Sequence, residues 1–279
     1  MQSGQVITTD SLVESIHWDT RLSGADVGWK AVAVSVSDLA AMAARPVWMT
    51  CSISLPSPVD QAWVSSMADG LAEASQTFGV ELIGGDTTRS PGPKFLSITM
   101  GGLCLQEPIT RDKAKPDDLL YVTGTLGLAA SGYAMSSPFD AALQALRRPS
   151  PPLEFALESA GEGLIHAMMD LSDGLHSDLP RLCEASGVGA CVYRDQLPSH
   201  PELDQCPDAL AYKLSGGDDY QLLFTSPPES QAALKACARK HSIQLKAIGI
   251  ITKASDIQLS GEQWPDPTFR HFHGNAPCA

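Results

Sequence analysis

Apolar and polar positions change period several times along the chain, and each change marks an element. Residues 6–9 form a short β-type run ending at Asp10. Over residues 27–44 the spacing becomes helical, with Val32, Val36, Leu39 and Ala43 on one face, and the abundance of Ala there predicts close packing against another element. Residues 47–55 read as a strand that Pro56-Ser57-Pro58 breaks. Trp63, Met67, Leu71, Ala74 and Phe78 then recur at helical spacing and predict a core-facing stripe. Residues 81–83 are a short strand running into Gly84-Gly85-Asp86, and 95–105 are another. Beyond a polar, Lys-rich stretch at 108–116, strands are predicted at 119–122, 189–193, 221–225 and 246–251. Ala167–Met169 leads into Asp170, and helices are expected at 175–185 and 231–241. Residues 147–152 read as a Pro-rich linker. Strands alternate with helices throughout, which makes the class α/β (α+β) with two domains, 1–108 and 109–279.

Composition narrows the function. The chain has 279 residues, 43% hydrophobic and 18% charged, enough to bury a core but with no run able to cross a bilayer. Met1–Gly4 shows neither the basic nor the apolar region of a secretory signal. Seven cysteines, an odd number with no C-x-x-C pair, predict neither a disulfide framework nor a zinc site; Cys51, Cys104, Cys191 and Cys237 read as small core residues. A reducing, cytoplasmic setting is expected. The net charge of −13 argues against a nucleic-acid partner. It is compatible with phosphate chemistry if carboxylates gather around divalent cations, which invert the local charge.

No G-x-x-x-x-G-K-[ST], G-x-G-x-x-G or G-x-S-x-G is present, so the P-loop, dinucleotide and serine-hydrolase signatures are missing. A different arrangement recurs, in which an apolar run ends in small residues and Asp. It appears as Val6-Ile7-Thr8-Thr9-Asp10, Leu82-Ile83-Gly84-Gly85-Asp86-Thr87-Thr88-Arg89, Met169-Asp170-Leu171-Ser172-Asp173-Gly174 and Leu214-Ser215-Gly216-Gly217-Asp218-Asp219-Tyr220. Small neighbours leave room for a polyphosphate, and short carboxylates suit hard cations. Any one Asp-Gly pair is usually a turn, but four in one acidic chain favour a metal–phosphate site. Asp38, in an apolar helical stretch, is either a cap within a broken helix or a buried carboxylate that needs a cation or donors. His17 and Lys113 are ordinarily solvated; Arg111 is a candidate phosphate clamp.

Taken together, Thr9-Asp10-Ser11-Leu12-Val13-Glu14 with His17, Ser37-Asp38-Leu39-Ala40-Ala41-Met42, Gly84-Gly85-Asp86-Thr87-Thr88, Thr110-Arg111-Asp112-Lys113, Tyr121-Val122-Thr123-Gly124, Asp170-Leu171-Ser172-Asp173-Gly174 and Gly216-Gly217-Asp218-Asp219-Tyr220 resemble the thiamine-monophosphate kinase family. The resemblance implies a two-domain aminoimidazole ribonucleotide synthetase-like fold, with an N-terminal sheet that pairs across a homodimer and a C-terminal α/β domain. It implies ATP as co-substrate, thiamine monophosphate as acceptor and several Mg²⁺ ions. By motif, Thr8, Thr9, Asp10, Asp38, Asp86, Asp170 and Asp173 would hold metal; Gly85, Asp86, Arg111 and Ser172 would contact ATP; His17, Asp218 and Phe269 would approach the thiamine phosphate. No catalytic base is implied, because the acceptor is a phosphate oxygen already deprotonated at neutral pH.

The chain departs from the family pattern at several places. Ala43 stands where the family usually has Gly, Asp218 replaces the usual Glu, and Pro152 occupies the place of an Arg. The family's Gly-Asp-Asp metal motif precedes its first strand, and this chain begins too late to contain it, which implies impaired transfer by the chain as given. Two other readings fit the same residues: an ATP-dependent enzyme of the same superfamily with a different small acceptor, and a catalytically silent protein that binds nucleotide or thiamine phosphate.

Overall fold

A computed structural model describes residues 4–104 and 106–265. The chain's contacts divide it into a first unit that ends at Pro108 and to which Arg147–Leu153 returns, and a second built from Ile109–Leu146 and from Glu154 onward.

In the first unit the elements are β1 (Gln5–Val13), α1 (Gly24–Ala41), β2 (Ala44–Leu55), α2 (Gln61–Phe78), β3 (Glu81–Arg89) and β4 (Phe95–Cys104). The strands form one sheet in the order β1-β4-β2-β3, antiparallel except for the parallel β2–β3 pair. Ser23 starts α1 through a capping box: its hydroxyl accepts from the Asp26 N–H at 3.2 Å, while the Asp26 carboxylate accepts from the Ser23 N–H at 3.0 Å. Asp60 caps α2 by accepting from the Trp63 N–H at 3.0 Å, and Gly79, at φ 68°, ends it. The two helices pack backbone to backbone. A Cβ on Gly28 would lie 2.1 Å from the Met67 carbonyl oxygen, and one on Gly70 would lie 1.9 Å from that of Ala25. The Ala-rich stretch was legible as a close contact for this reason. Helix α1 begins three residues before the expected Val27 and ends at Ala41, since Ala43 takes φ 52° and turns the chain into β2.

Two strands run further than the local pattern indicates. β1 continues three residues past Asp10, and β3 continues three past Asp86, so both carboxylates sit within strands and not at their ends. Pairing with neighbours explains the difference: Asp10 lies opposite Ile98 and Asp86 beside Ser52, and a ladder partner outweighs the turn preference of Gly and Asp.

The second unit contains β5 (Leu119–Thr123), α3 (Leu128–Ala134), α4 (Asp140–Arg147), α5 (Leu153–Gly161), β6 (Ala167–Leu171), α6 (Leu175–Ser186), β7 (Gly189–Val192), α7 (Ala209–Ser215), β8 (Gln221–Ser226), α8 (Gln231–Lys240), β9 (Leu245–Thr252), β10 (Ile257–Leu259) and β11 (Glu262–Gln263). Its sheet runs β11-β10-β7-β9-β5-β8-β6, with only the β10–β7 pair parallel. Leu120, Val122, Leu171 and Leu223 pack with Leu175, Leu179 and Leu182 of α6 in one core cluster. Elsewhere in the unit Tyr121 stacks on Phe224 at 5.3 Å, and Phe155 of α5 meets the same ring at 5.9 Å. Helices α4, α5 and α7 were not anticipated from the sequence, because they are short. Among the described residues no helix is long and apolar enough to cross a membrane.

Candidate active site

The first unit brings three of the expected metal residues together. Along β1, Thr8, Asp10 and Leu12 alternate toward α1, while Ile7, Thr9 and Ser11 point to the exposed face. Asp38 projects from α1 to meet them. The Thr8 hydroxyl donates to the Asp38 carboxylate, the Ser35 hydroxyl donates to Asp10 Oδ2 at 3.1 Å, and the Asp10 and Asp38 carboxyls are hydrogen-bonded to one another. Such contact requires a proton or a cation. Burial, reinforced by the neighbouring Asp38 charge, pushes the Asp10 carboxyl up to about 6, and burial also raises Asp38. Helix α1 is continuous through Asp38, so the capping alternative is set aside. Thr9 lies across the sheet from this pair, with its hydroxyl 2.9 Å from that of Thr99, which leaves only its backbone on the strand that carries Asp10. His17 follows β1, and its Nδ1 accepts from the Val13 N–H at 3.0 Å, which places the ring proton on Nε2.

Gly85 and Asp86 belong to β3, the opposite edge of the same sheet. Asp10, Ile98, Cys51 and Gly85 occupy one row across the four strands, so about three strand spacings, roughly 14 Å, separate the two motifs within one chain. Asp86 is exposed. An open groove of about 520 Å³ is lined by Cys51, Leu82, Ile83, Gly84, Gly85, Asp86 and Thr87. Only glycine fits at 85, because a Cβ would stand 1.9 Å from the Cys51 carbonyl oxygen.

In the second unit two of the motifs form adjoining loops. Asp170 is on β6, Ser172 and Asp173 follow it, and the segment 216–220 runs alongside. The Asp218 N–H donates to the Ser172 carbonyl and the Tyr220 N–H to that of Leu171, each at 2.9 Å. Gly217 is required there, since a Cβ would approach the Ser172 carbonyl to 2.6 Å. Asp218 is held at φ 67° and Tyr220 at φ 48°, and the Tyr220 hydroxyl donates to Asp218 Oδ1 at 2.9 Å. Arg111 is exposed, and its carbonyl accepts from the Ser186 hydroxyl at 2.8 Å. Phe269 lies outside the described residues.

Several supporting residues were missed. Asp178, fully buried on α6, accepts from the N–H groups of Ser172 and Asp173 at 3.2 and 3.1 Å, and Arg181 bridges it to Asp173 at 2.7 and 2.6 Å. Burial, then the Asp173 charge, pushes the Asp178 carboxyl up to about 6. Asp219 Oδ2 accepts from the Gly127 N–H at 2.6 Å at the start of α3, and burial raises its carboxyl to about 8 despite those backbone donors. An Asp in the first turn of a predicted amphipathic helix, as at 178, was the available signal for the first. Asp219 had none beyond its place in the motif.

Two family models match the chain: AIR synthase related protein, N-terminal domain, over residues 1–104, and AIR synthase related protein, C-terminal domain, over 115–262. Thiamine-monophosphate kinase of Escherichia coli strain K12 is 38% identical over 270 residues, which cover 90% of this chain and 79% of that protein. That of Bacillus subtilis strain 168 is 30% identical over 270 residues, with coverage of 91% and 82%. Among solved structures, thiamine-monophosphate kinase from Stenotrophomonas maltophilia K279a superposes with a TM-score of 0.86 at 34% identity, covering 93% of this chain and 86% of that one. AaThiL complexed with AMPPCP and TMP superposes at 0.87 with 28% identity, covering 97% and 88%. Hydrogenase maturation protein HypE in complex with ATP, at 0.78 and 20% identity, shares the fold alone.

Proposed function

Because this chain belongs to the thiamine-monophosphate kinases and carries both AIR synthase related domains, we propose that it transfers the γ-phosphoryl group of ATP to thiamine monophosphate and releases thiamine diphosphate. The observation that carries the reading at the level of geometry is the meeting of Asp10 and Asp38 beside the Thr8 hydroxyl. This donor set is all oxygen and two-fold acidic, which fits Mg²⁺ and not a soft metal. Thr8, Asp10 and Asp38 would hold Mg²⁺ at one edge of the first unit's sheet, with Thr9 through its backbone, and Asp86, roughly 14 Å away at the other edge, would hold a separate ion; Asp170 and Asp173 would hold Mg²⁺ in the second unit. When bound, Mg²⁺ offsets the negative charge of two polyanions that must approach one another.

The chain's own groups do the positioning. The backbone at Gly84, where a Cβ would meet nothing nearer than 4.0 Å, offers approach to a nucleotide, with Gly85 seated against Cys51 and Asp86 beside it; Ser172, on its Asp178-anchored loop, and Arg111 are the ATP contacts of the second unit. Asp218, fixed by Tyr220, and His17, with its proton on Nε2, are the polar contacts to the thiamine phosphate; the family resemblance alone adds Phe269. No side chain needs to remove a proton from the acceptor.

A homodimer formed through the first sheet is part of the same reading. Ile7, Leu82, Ile83 and Leu103 are exposed on its strands, and β1 and β3 are open edges. Charged substitutions at Leu82 and Ile83 should convert a sedimenting dimer into monomer; a wild-type monomer at micromolar concentration would remove the dimer from the proposal. The described cysteines are all free thiols, which fits a cytoplasmic setting.

The test is direct. The protein is incubated with thiamine monophosphate, ATP and Mg²⁺, and thiamine diphosphate and ADP are followed together. Equal formation of both, abolished by chelation, is expected. ATP turnover only with another acceptor, or tight binding without transfer, would overturn the reading.

A further inference from the structure

One cluster of mixed donors lies in none of the segments used above. Glu158 is on α5; Cys237 and His241 are four residues apart on α8 and its C-cap, hence on one helical face. One donor atom of each lies within 4.8 Å of the other two. His241 Nε2 and Glu158 Oε2 are 2.9 Å apart. Two bonds of about 2.0 Å at a tetrahedral angle place such atoms about 3.3 Å apart, so a small outward shift accommodates an ion. Cys237 is buried while Glu158 and His241 are half-buried, which puts the sulfur at the inner end and leaves the outer position open to water.

We propose that Glu158, Cys237 and His241 form a site for a zinc-class divalent cation that ties α5 to α8. A thiolate, an imidazole and a carboxylate are the donors of Zn²⁺ and Co²⁺; Mg²⁺ and Ca²⁺ take oxygen. The three residues fill three positions, and water completes the fourth. On ligation Cys237 gives its proton to solvent, so binding weakens toward acid. Lys240 Nζ holds Glu158 Oε2 at 2.5 Å, and its side chain is 64% exposed. That ammonium is the counter-charge the cation replaces, and it can swing into water. The site would brace the second unit and take no part in phosphoryl transfer, so its test is independent of the kinase assay.

The experiment uses the full chain, stripped with chelator and titrated with Co²⁺ in the presence of excess Mg²⁺. A thiolate-to-cobalt charge-transfer band that saturates at one equivalent is expected, and carboxylate sites cannot produce it. Cys237→Ser should abolish the band. His241→Ala, at the surface, should weaken binding by about tenfold or more, and Lys240→Ala should tighten it. Zn²⁺ should raise the melting midpoint of the wild type and not of His241→Ala. Absence of a thiolate band in the wild type, or a band unchanged in His241→Ala, would overturn the proposal and assign Cys237 to the core and Glu158 to a surface ion pair.

Discussion

Asp38 and Asp10 each lose hydration to face the other, and that contact opposes folding; in the function proposed above it would prepare a cation site. Asp38→Asn should therefore act in opposite directions on stability and on activity. The melting midpoint without metal should rise by roughly 2–4 °C, while turnover falls on the order of 100-fold or more; a variant that loses both would show that Asp38 serves the fold. Ala43 gives a second case. Its φ of 52° is costly for a residue with a Cβ. Ala43→Gly should stabilise by up to about 1 kcal/mol in urea unfolding, and a loss would show that packing of the buried Cβ outweighs the strain. Asp219 sets a pH dependence. Its carboxyl sits at about 8 when folded, above the ~3.9 of an unfolded Asp, so its contribution is full below about pH 4 and is lost as the pH rises through about 8. Asp219→Asn should flatten the fall of the melting midpoint across that window, and parallel slopes for the two proteins would refute the assignment. Asp218 was legible in the sequence from its small neighbours, whereas the task of Asp219 was not. It depends on Gly127, 92 residues away, which no local pattern reports.

At the scale of elements, legibility followed the reach of the determining contact. Helix α2 was readable because one face carries Met67, Leu71 and Ala74 into the core at helical spacing. The ends of β1 and β3 were not, because local composition called for turns at Asp10 and Asp86 while strands β4 and β2 held them extended. The contact between α1 and α2 is the element-level feature most open to test. Helix propensity alone would make Gly70→Ala stabilising by about 1 kcal/mol. The added Cβ would meet the Ala25 carbonyl at 1.9 Å, and since that atom is backbone the helices must separate. Gly70→Ala should then destabilise by about 1–3 kcal/mol in urea unfolding. A neutral or stabilising result would show that the helices slide without cost.

At the scale of the whole molecule, the net charge of −13 is large, yet the carboxylates assigned to metal are few, so most of it is solvated surface. The chain's path between units carries more consequence. After leaving the first unit at Pro108 it returns for Arg147–Leu153 and leaves again. That returning segment is fastened: Arg148 reaches Asp26 at 3.1 Å and Glu73 at 2.6 Å and lies over the Trp29 ring, the Trp29 indole donates to the Pro149 carbonyl at 2.9 Å, and Arg147 donates to the Arg21 carbonyl at 2.8 Å. Dissection by a single cut therefore fails. A protease that nicks the chain after Pro108 leaves two fragments still threaded together, and a fragment of residues 1–108 lacks the clip that spans α1 and α2. Such a fragment should melt below one to which 147–153 has been joined through a short flexible linker, and Arg148→Ala in the joined version should return it to the lower value. Equal midpoints for all three would mean that the clip is decoration. Otherwise the two halves of this protein are separable only as a spliced pair, and a homologous domain exchanged into the chain must bring its own copy of residues 147–153.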